Sequence, residues 1–184
     1  MTSVADLRRL YEYNWAVYDG FLRRLERLPW RTVTRDLGSG HRTMKDTMVH
    51  ILNVHDAWLN FVLPGRIDEL EKTPGRRPAE IRSWRELRAY RDRVRGGIDP
   101  YLRQLRASDL RRPARRAPWM PGPYTIEDVL FQTSLEQAHH LGEIIALLWQ
   151  RETAPPDMTW IDVRRTIRRR AGPHRPSTRR RRRA

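Results

Sequence analysis

The residues with the clearest capacity for chemistry are histidines and carboxylates on two predicted helices. Glu136 and His140 lie four residues apart, so both side chains project from one helix face, one turn apart. That spacing lets a carboxylate and an imidazole bind one metal ion. His50 lies near the apolar face of an earlier helix and is the candidate for a third ligand. These three residues are therefore candidates for a divalent-metal site.

Simpler interpretations of the same residues stay open. A Glu–His pair at this spacing also suits a helix surface, and a histidine near a core can be held by a hydrogen bond alone. The fourth predicted helix carries a narrow apolar seam formed by Leu135, Ala138, Gly142, Ile145 and Trp149. We expect this seam to face the core, which turns Glu136 and His140 at least partly inward. Burying them unpaired is costly, and either a metal ion or a mutual hydrogen bond would offset that cost.

The remaining histidines are His41, His55, His139 and His174. His55 follows His50 by five residues and is turned well away from it on a regular helix. His139 lies about 100° around the helix from His140 and is interpreted as a structural residue or a neighbour of the ligands. The other two lie in loop and tail sequence, which suggests little for them.

The elements that must position these residues are long amphipathic helices. Apolar residues recur every three or four positions, and strand-like alternation is scarce. The predicted helices cover about 4–28, 43–63, 79–105 and 125–151, with long connections at 66–78 and 106–124. Gly96, Gly97 and Pro100 predict a kink or a break in the third helix. Residues 157–163 predict a short final segment packed by Trp160 and Ile161, and the whole pattern predicts an all-α, four-helix bundle.

Composition limits what this fold can do. The 184 residues suit one domain with a tail, and 39% are hydrophobic. The absence of cysteine excludes disulfides, thiolate metal sites and cysteine nucleophiles. The first ten residues lack the apolar stretch of a signal peptide, and the longest apolar run is too short to cross a bilayer. We therefore expect a soluble, cytoplasmic protein with no membrane partner.

The net charge of +15 is concentrated at the C-terminus. Eleven arginines and no acid or lysine follow position 163, which leaves the body with 26 basic against 22 acidic residues, or +4. A run of like charge repels itself and stays disordered without a partner. The sequence therefore predicts a domain at 1–163 and a disordered, Arg-rich tail at 164–184.

Two segments resemble a known family. The segment from His139 to Leu148, HHLGEIIALL, resembles the last bundle helix of the DinB-like superfamily. The segment from Thr47 to Trp58, TMVHILNVHDAW, resembles its second-helix pattern of a histidine followed by an acid and a tryptophan. The opening Tyr13-Asn14-Trp15 and the closing Pro155-Pro156-Asp157 with Trp160 also fit. The order and spacing of these motifs make the resemblance, over about 5–163, fairly specific.

The resemblance implies an up-down four-helix bundle with a long crossover connection, often dimeric. It also implies a divalent metal, such as zinc, nickel, iron or manganese, held by three histidines. Carried over by motif, the first ligand is His50 and the last is His140. The remaining position falls on Glu136, so the implied set is two histidines and one carboxylate, which is a competent ligand group.

The resemblance further implies a metal-dependent transferase that uses a low-molecular-weight thiol such as mycothiol or bacillithiol, or a hydrolase, acting on a small molecule. The sequence identifies no catalytic base, and Glu143 is the nearest candidate. Possible substrate contacts at the bundle end are Arg115, Arg116, Trp119 and Tyr124. The alternative is a non-catalytic, dimeric helical scaffold whose tail contacts nucleic acid, since arginine runs bind phosphates without sequence preference.

Overall fold

The computed structural model describes residues 2–70, 72–73 and 75–171, and these residues form helices and no β-strand. The helices are α1 (Val4–Leu25), α2 (Trp30–Val33), α3 (Met44–His55), a π-helix (Asp56–Val62), α4 (Ile67–Leu70), α5 (Trp84–Gln104), α6 (Ile126–Trp149) and α7 (Trp160–Arg170). Single-turn 3₁₀-helices lie at Pro78–Glu80 and Ala107–Asp109. The predicted all-α fold is confirmed. None of the helices in the described part of the chain has the length and apolarity to span a membrane.

Each long helix begins at a hydroxyl side chain. Ser3, Thr43, Ser83 and Thr125 each accept a hydrogen bond from the backbone N–H three residues later. Such caps satisfy one of the donors that a helix N-terminus leaves without a partner. The polar loops that precede these residues therefore end at defined points, which fixes where α3 and α6 begin.

Helix α1 packs against the other three long helices. The hydroxyl of Tyr18 donates to the carbonyl of Met48 on α3 at 3.1 Å, and the ring of Tyr11 lies 6.1 Å from that of His55. Since the later residue of α1 meets the earlier residue of α3, these two helices run antiparallel. Tyr11 also donates to the carbonyl of Leu130 at 2.9 Å, which joins α1 to α6.

The guanidinium of Arg8 completes this arrangement at the C-terminal end of α5. It donates to the carbonyls of Leu102, Arg103 and Leu105 at 2.8–3.1 Å. These carbonyls belong to the last turn of a helix, where no further backbone N–H can reach them. Arg8 therefore caps α5 from α1.

Helix α5 runs parallel to α3 and the π-helix. Tyr90 bonds to Asn53, and Asn60 donates to the carbonyl of Val94 at 3.1 Å, so both numbers rise together. The chain must return along the bundle between Val62 and Trp84. It does so through α4 and a segment that Lys45 fixes by donating to the carbonyl of Pro78 at 2.6 Å.

The buried face of α6 differs from the predicted one. Its core residues include Leu130, Leu141 and Ile144, each 0% exposed. The seam expected to face the core is mostly on the outside: Leu135 is 66% exposed and Trp149 is 59% exposed. Helix α6 is therefore rotated about its axis by about half a turn relative to the predicted orientation. This helix has apolar residues on two opposite faces, and the larger apolar face is the buried one.

The π-helix packs against α5, and a buried cluster of polar side chains joins the two helices. The carboxylate of Asp56 is 1% exposed and pairs with Arg93 at 2.7 Å. Asn60 donates to the other oxygen of Asp56 at 2.8 Å. A Cβ on Gly97 would collide with the Asn60 amide, so a glycine is what lets α5 approach here. This glycine lies in an unbroken helix, and the predicted break at Gly96, Gly97 and Pro100 does not occur.

The C-terminal part also differs from its prediction. Positions 164–170 lie in α7, so the expected boundary after Val163 falls inside a helix, and residues 172–184 lie outside the described residues. Arg164 is 8% exposed and pairs with Glu12 on α1 at 2.6 Å, which gives this arginine a structural partner. Ile161, expected to pack, is 64% exposed, while Trp160 keeps one ring contact with Tyr13 at 5.0 Å.

Candidate metal centre

Helices α3 and α6 bring His50 and His140 together. The cap at Thr43 starts α3, and His50 follows two turns later, half-buried between core residues of that helix. His140 lies on the buried face of α6 and is 7% exposed. The two ring centroids are 4.6 Å apart, with the rings nearly perpendicular. The structure therefore brings these two residues together, and their role as metal ligands stays a prediction.

A third imidazole comes from the loop before α3. Backbone torsions with positive φ at Gly38 (69°) and Arg42 (66°) turn this loop, and the N–H of Leu37 donates to the carbonyl of Arg42 at 2.7 Å. The turn folds His41 back over α3. Its ring stacks on that of His50 with 3.8 Å between centroids.

The three rings form one cluster, composed of His41, His50 and His140. The centroids of His41 and His140 are 4.8 Å apart. One ligand atom from each of the three residues can be chosen so that all lie within 4.8 Å of one another. This cluster contains two of the predicted ligands and one residue that the sequence interpretation set aside.

Two carboxylates flank His140 on α6. Oε1 of Glu136 lies 3.5 Å from Nε2 of the ring. Oε2 of Glu143 lies 3.2 Å from Nδ1, where it accepts a hydrogen bond when Nδ1 carries the proton. A carboxylate on one ring nitrogen holds an imidazole in the orientation and tautomer that leave the other nitrogen free for a metal. Glu143 is placed for that role, and Glu136 is placed beside the free nitrogen.

The one carboxylate predicted as a ligand, Glu136, therefore has a definite place. Glu136 contacts His140, as the four-residue spacing predicts, and also accepts from Gln132 at 3.2 Å. Its role as a ligand stays a prediction. A second set of groups within 4.8 Å consists of His139, His140 and Glu143, but the His139 side chain is 68% exposed.

Burial favours the neutral form of two of the clustered imidazoles, His50 and His41. It is the main reason why the pKa of His50 falls to about 4, and the neighbouring His41 and His140 lower that pKa further. Burial also lowers the pKa of His41, with His140 adding to the effect and Glu143 opposing it. A neutral imidazole has the nitrogen lone pair that a metal ion requires.

The donor set fits a divalent transition metal. Zinc–imidazole bonds are about 2.0–2.1 Å long, so two nitrogens on one tetrahedral ion lie about 3.4 Å apart. The candidate atoms of the cluster lie within 4.8 Å of one another, which small side-chain rotations can close. Imidazole suits zinc, iron and nickel, and added carboxylates suit manganese as well.

His55 has a separate, structural environment. It is 1% exposed, and its Nε2 lies 2.9 Å from Oε1 of Gln137. The amide nitrogen of Gln137 donates to the carbonyl of Asn14 at 2.8 Å, so its oxygen faces the imidazole and Nε2 carries the proton. Burial lowers the pKa of His55 to about 4. The five-residue spacing from His50 correctly separates the two.

The suggested substrate contacts lie elsewhere. Trp119 and Tyr124 pack edge-on against Trp58 of the π-helix, each with 5.5 Å between centroids. Arg115 pairs with Asp68 at 3.0 Å. Because α3 and the π-helix run away from His50 towards Trp58, these residues belong to the opposite end of the bundle. Their role as substrate contacts stays a prediction.

His41 was missed because it precedes its helix. Periodicity assigns faces to residues within helices, but a loop residue has no face until the turn is known. The glycines at 38 and 40 and the cap at Thr43 are the signal of a tight turn ending at the helix. They show that a chain reversal is present without fixing its direction.

One comparison with known proteins gives a match. The family model described as DinB superfamily matches residues 12–144, more than two thirds of the chain. The matched segment includes all three clustered histidines and both flanking carboxylates. No curated protein matches the sequence.

Proposed function

The chain belongs to the DinB superfamily, and from this membership and the imidazole cluster we propose that it is a divalent-metal-dependent protein acting on a small molecule. The observation that carries the proposal is the convergence of His41, His50 and His140, whose ligand atoms lie within 4.8 Å of one another. The residues come from two helices and a loop, so the convergence is a product of the tertiary fold.

In this proposal His50 and His140 are ligands, and His41 is the third. The His41 ring stacks on the His50 ring with 3.8 Å between centroids, so it lies next to a proposed ligand. Glu143 orients His140 through Nδ1. Glu136 remains beside Nε2, where it serves either as an additional ligand or as a hydrogen-bond acceptor for a bound molecule. The set predicted from the sequence, with Glu136 in place of His41, is the alternative.

The reaction class follows from what the site offers. A bound divalent ion lowers the pKa of a thiol or a water molecule that it coordinates. The chain would supply three clustered imidazoles, with the Glu136 carboxylate beside Nε2 of His140. We propose a thiol-dependent transferase with a low-molecular-weight thiol as cosubstrate, or a hydrolase, as the resemblance to the family implies.

Metal content of purified full-length variants tests the ligand set. After loading with zinc and removal of free ion, the wild type and His139→Ala should retain about one ion per chain, while His50→Ala and His140→Ala should retain far less. His139→Ala is the matched control, because it removes a neighbouring imidazole from the same helix. Loss of metal in His41→Ala but not in Glu136→Gln supports the three-histidine set, and the reverse supports the alternative.

Thiol binding tests the reaction class on the same proteins. Zinc-loaded wild type should bind a low-molecular-weight thiol in calorimetry, and metal-free protein should not. Equal metal content in the wild type and His50→Ala would overturn the metal site. Metal without thiol binding would overturn the thiol-dependent transferase and leave the hydrolase.

A further inference from the structure

A groove runs along the outer side of α1, between α6 and α7. Two adjoining cavities form it, with volumes of about 240 Å³ and about 380 Å³. Leu10 and Phe131 line both cavities, so the two spaces meet at this pair. Val17 lines the first cavity and Asp6 the second, so the groove follows about 16 Å of α1 at 1.5 Å per residue. The groove is therefore elongated along a helix.

One end of the groove is apolar. Its hydrophobic side chains come from α1, from α6 and from the segment before α7: Leu10, Tyr13, Val17, Phe131, Leu135, Ala138 and Met158. Phe131 is 37% exposed and Leu135 is 66% exposed. Contact of apolar side chains with water is unfavourable, and a contiguous exposed apolar surface commonly marks a binding site.

The polar side chains at this end already have partners. The amide nitrogen of Asn14 donates to the hydroxyl of Ser134 at 2.8 Å, and that hydroxyl donates to the carbonyl of Leu130 at 3.0 Å. Gln137 is bonded at both ends of its amide, to His55 and to the carbonyl of Asn14. An extended peptide would bring backbone N–H and C=O groups that need partners here. A hydrocarbon chain has no such need, so it suits this end better.

The other end of the groove is basic. Arg9, Arg164 and Arg168 line it together with Asp6. Arg9 pairs with Asp6, and Arg164 pairs with Glu12 at 2.6 Å. Arg168 is exposed and forms no ion pair with any residue that the structure describes. Its guanidinium is therefore available to an anion, and this planar group matches the geometry of a carboxylate or a phosphate.

The two ends together define the ligand. Ligand sites are mostly apolar, with a few polar or charged groups that fix the orientation of the bound molecule. We propose that this groove binds an amphipathic anion, with an unbranched alkyl chain between Leu135 and Tyr13 and an acidic head group at Arg168. The guanidinium attracts the head group, and burial of the chain supplies most of the affinity.

The groove is separate from the candidate metal centre. The residues of α6 that line it, Phe131, Leu135 and Ala138, lie about 170° from His140 around the helix axis. The proposal therefore goes beyond the proposed metal-dependent function and does not depend on it. His140→Ala should bind the amphipathic anion as the wild type does, whatever its metal content. A failure of either proposal thus leaves the other one standing.

Calorimetry on the full-length protein tests the groove, with sodium decanoate below its micelle-forming concentration as the probe. Decanoate should bind at about one molecule per chain. Each buried CH₂ group contributes about a fourfold gain in affinity, so decanoate should bind at least about tenfold more tightly than hexanoate. Equal affinity for the two acids would overturn the proposal, because attraction to surface arginines alone does not depend on the length of the alkyl chain.

A substitution at Leu135 tests the apolar end. Leu135→Glu should weaken decanoate binding at least about tenfold, because it places a carboxylate where the alkyl chain would lie. Trp149→Glu is the matched control, since Trp149 is 59% exposed on the same helix and does not line the groove. This control should bind decanoate as the wild type does, and circular dichroism checks that both variants keep their helices. Unchanged binding by Leu135→Glu would overturn the proposed position of the chain.

A substitution at Arg168 tests the head group. Arg168→Glu should weaken decanoate binding about fivefold and leave the binding of uncharged decanol unchanged. Arg169→Glu is the matched control, because Arg169 is the exposed neighbour on α7 and does not line this end of the groove. Equal affinities of the two variants for decanoate would overturn the proposed position of the head group.

A second copy of the chain is the competing occupant of the apolar end, and sedimentation equilibrium distinguishes it. A wild type at twice the chain mass of 22.0 kDa, with Leu135→Glu at the single-chain mass and no saturable binding of decanoate, would show that a second copy covers the groove. That result would overturn the proposal. Saturable binding of decanoate that Leu135→Glu and Arg168→Glu each weaken is the expected result.

Discussion

Replacing two adjacent glycines by alanine should change stability in opposite directions. Gly96 and Gly97 lie side by side in α5, where alanine is favoured over glycine by about 1 kcal/mol. A Cβ on Gly96 would meet nothing within 4 Å. A Cβ on Gly97 would overlap the amide of Asn60. Only Gly96→Ala should therefore receive the full stabilisation that the higher helix propensity of alanine provides.

Gly97→Ala should lower the free energy of unfolding because it would displace the Asn60 amide from its hydrogen bonds. Its nitrogen donates to the buried carboxylate of Asp56 at 2.8 Å and to the carbonyl of Val94 at 3.1 Å. A hydrogen bond to a charged group contributes about 1.5–3 kcal/mol, and overpacking costs about 1–3 kcal/mol. After the gain in propensity, Gly97→Ala should lose about 1–3 kcal/mol in the free energy of unfolding, while Gly96→Ala should gain about 0.5–1 kcal/mol.

Urea unfolding followed by tryptophan fluorescence measures both changes. With a slope of about 2 kcal/mol/M, the two midpoints should differ by about 1 M or more. In an Asn60→Ala background the Gly97→Ala substitution should lose most of its cost, because the obstructing amide is gone. Equal midpoints for Gly96→Ala and Gly97→Ala would refute the close approach of α5 to the π-helix.

Two further predictions concern buried basic side chains. The folded-state pKa of His55, about 4, lies below the unfolded value of 6.5, so the unfolded chain binds the extra proton between them. Stability therefore falls as pH drops from 6.5 towards 4, and His55→Gln should remove about 2 kcal/mol of the loss between pH 7 and 4.5 in urea unfolding. Unchanged pH dependence in His55→Gln would contradict the assignment to His55. Arg164→Met should lower the free energy of local unfolding of α7 by about 1 kcal/mol and so speed tryptic cleavage within α7 about fivefold, whereas the exposed Arg165→Met should not. Equal cleavage rates for the two variants would show that the pair with Glu12 does not hold the helix.

Helix positions were the most predictable part of the fold. Hydroxyl caps and apolar spacing are local, and they place α1, α3, α5 and α6 close to their observed bounds. The π-helix was not predictable, because it continues α3 without a break in the apolar pattern. Its wider turns show in the bonds from the N–H of Leu63 to the carbonyl of Trp58 and from the N–H of Arg66 to the carbonyl of Phe61, each spanning five residues.

Which face of α6 is buried was beyond the sequence. Both its faces are apolar, and spacing alone does not say which one meets the rest of the molecule. His140 is nevertheless buried, as predicted. The reason differs from the predicted one, since His140 lies on the larger apolar face with Leu141 and Ile144. The outward seam with Leu135 has the composition of a core seam, which an interface shares.

The residues of the candidate site that lie on helices were predictable from the sequence, and the one that lies in a loop was not. His50 and His140 came from periodicity and motif, and Glu136 was correctly placed beside His140. His41 depends on a turn with two positive φ values, at Gly38 and Arg42, that no periodic signal encodes. Loop residues at a site are therefore the ones that require a structure.

The contacts of α1 impose an order of events on biosynthesis. Tyr11 contacts Thr133, which lies 122 positions later in the chain, and Arg8 caps α5 through Arg103, which lies 95 positions later. At about 5–20 residues per second, the ribosome needs roughly 6–24 s after Tyr11 to add its partner on α6. Throughout that interval the apolar side of α1 lacks its final neighbours, so this first helix is the stretch that a nascent-chain chaperone would have most reason to shield.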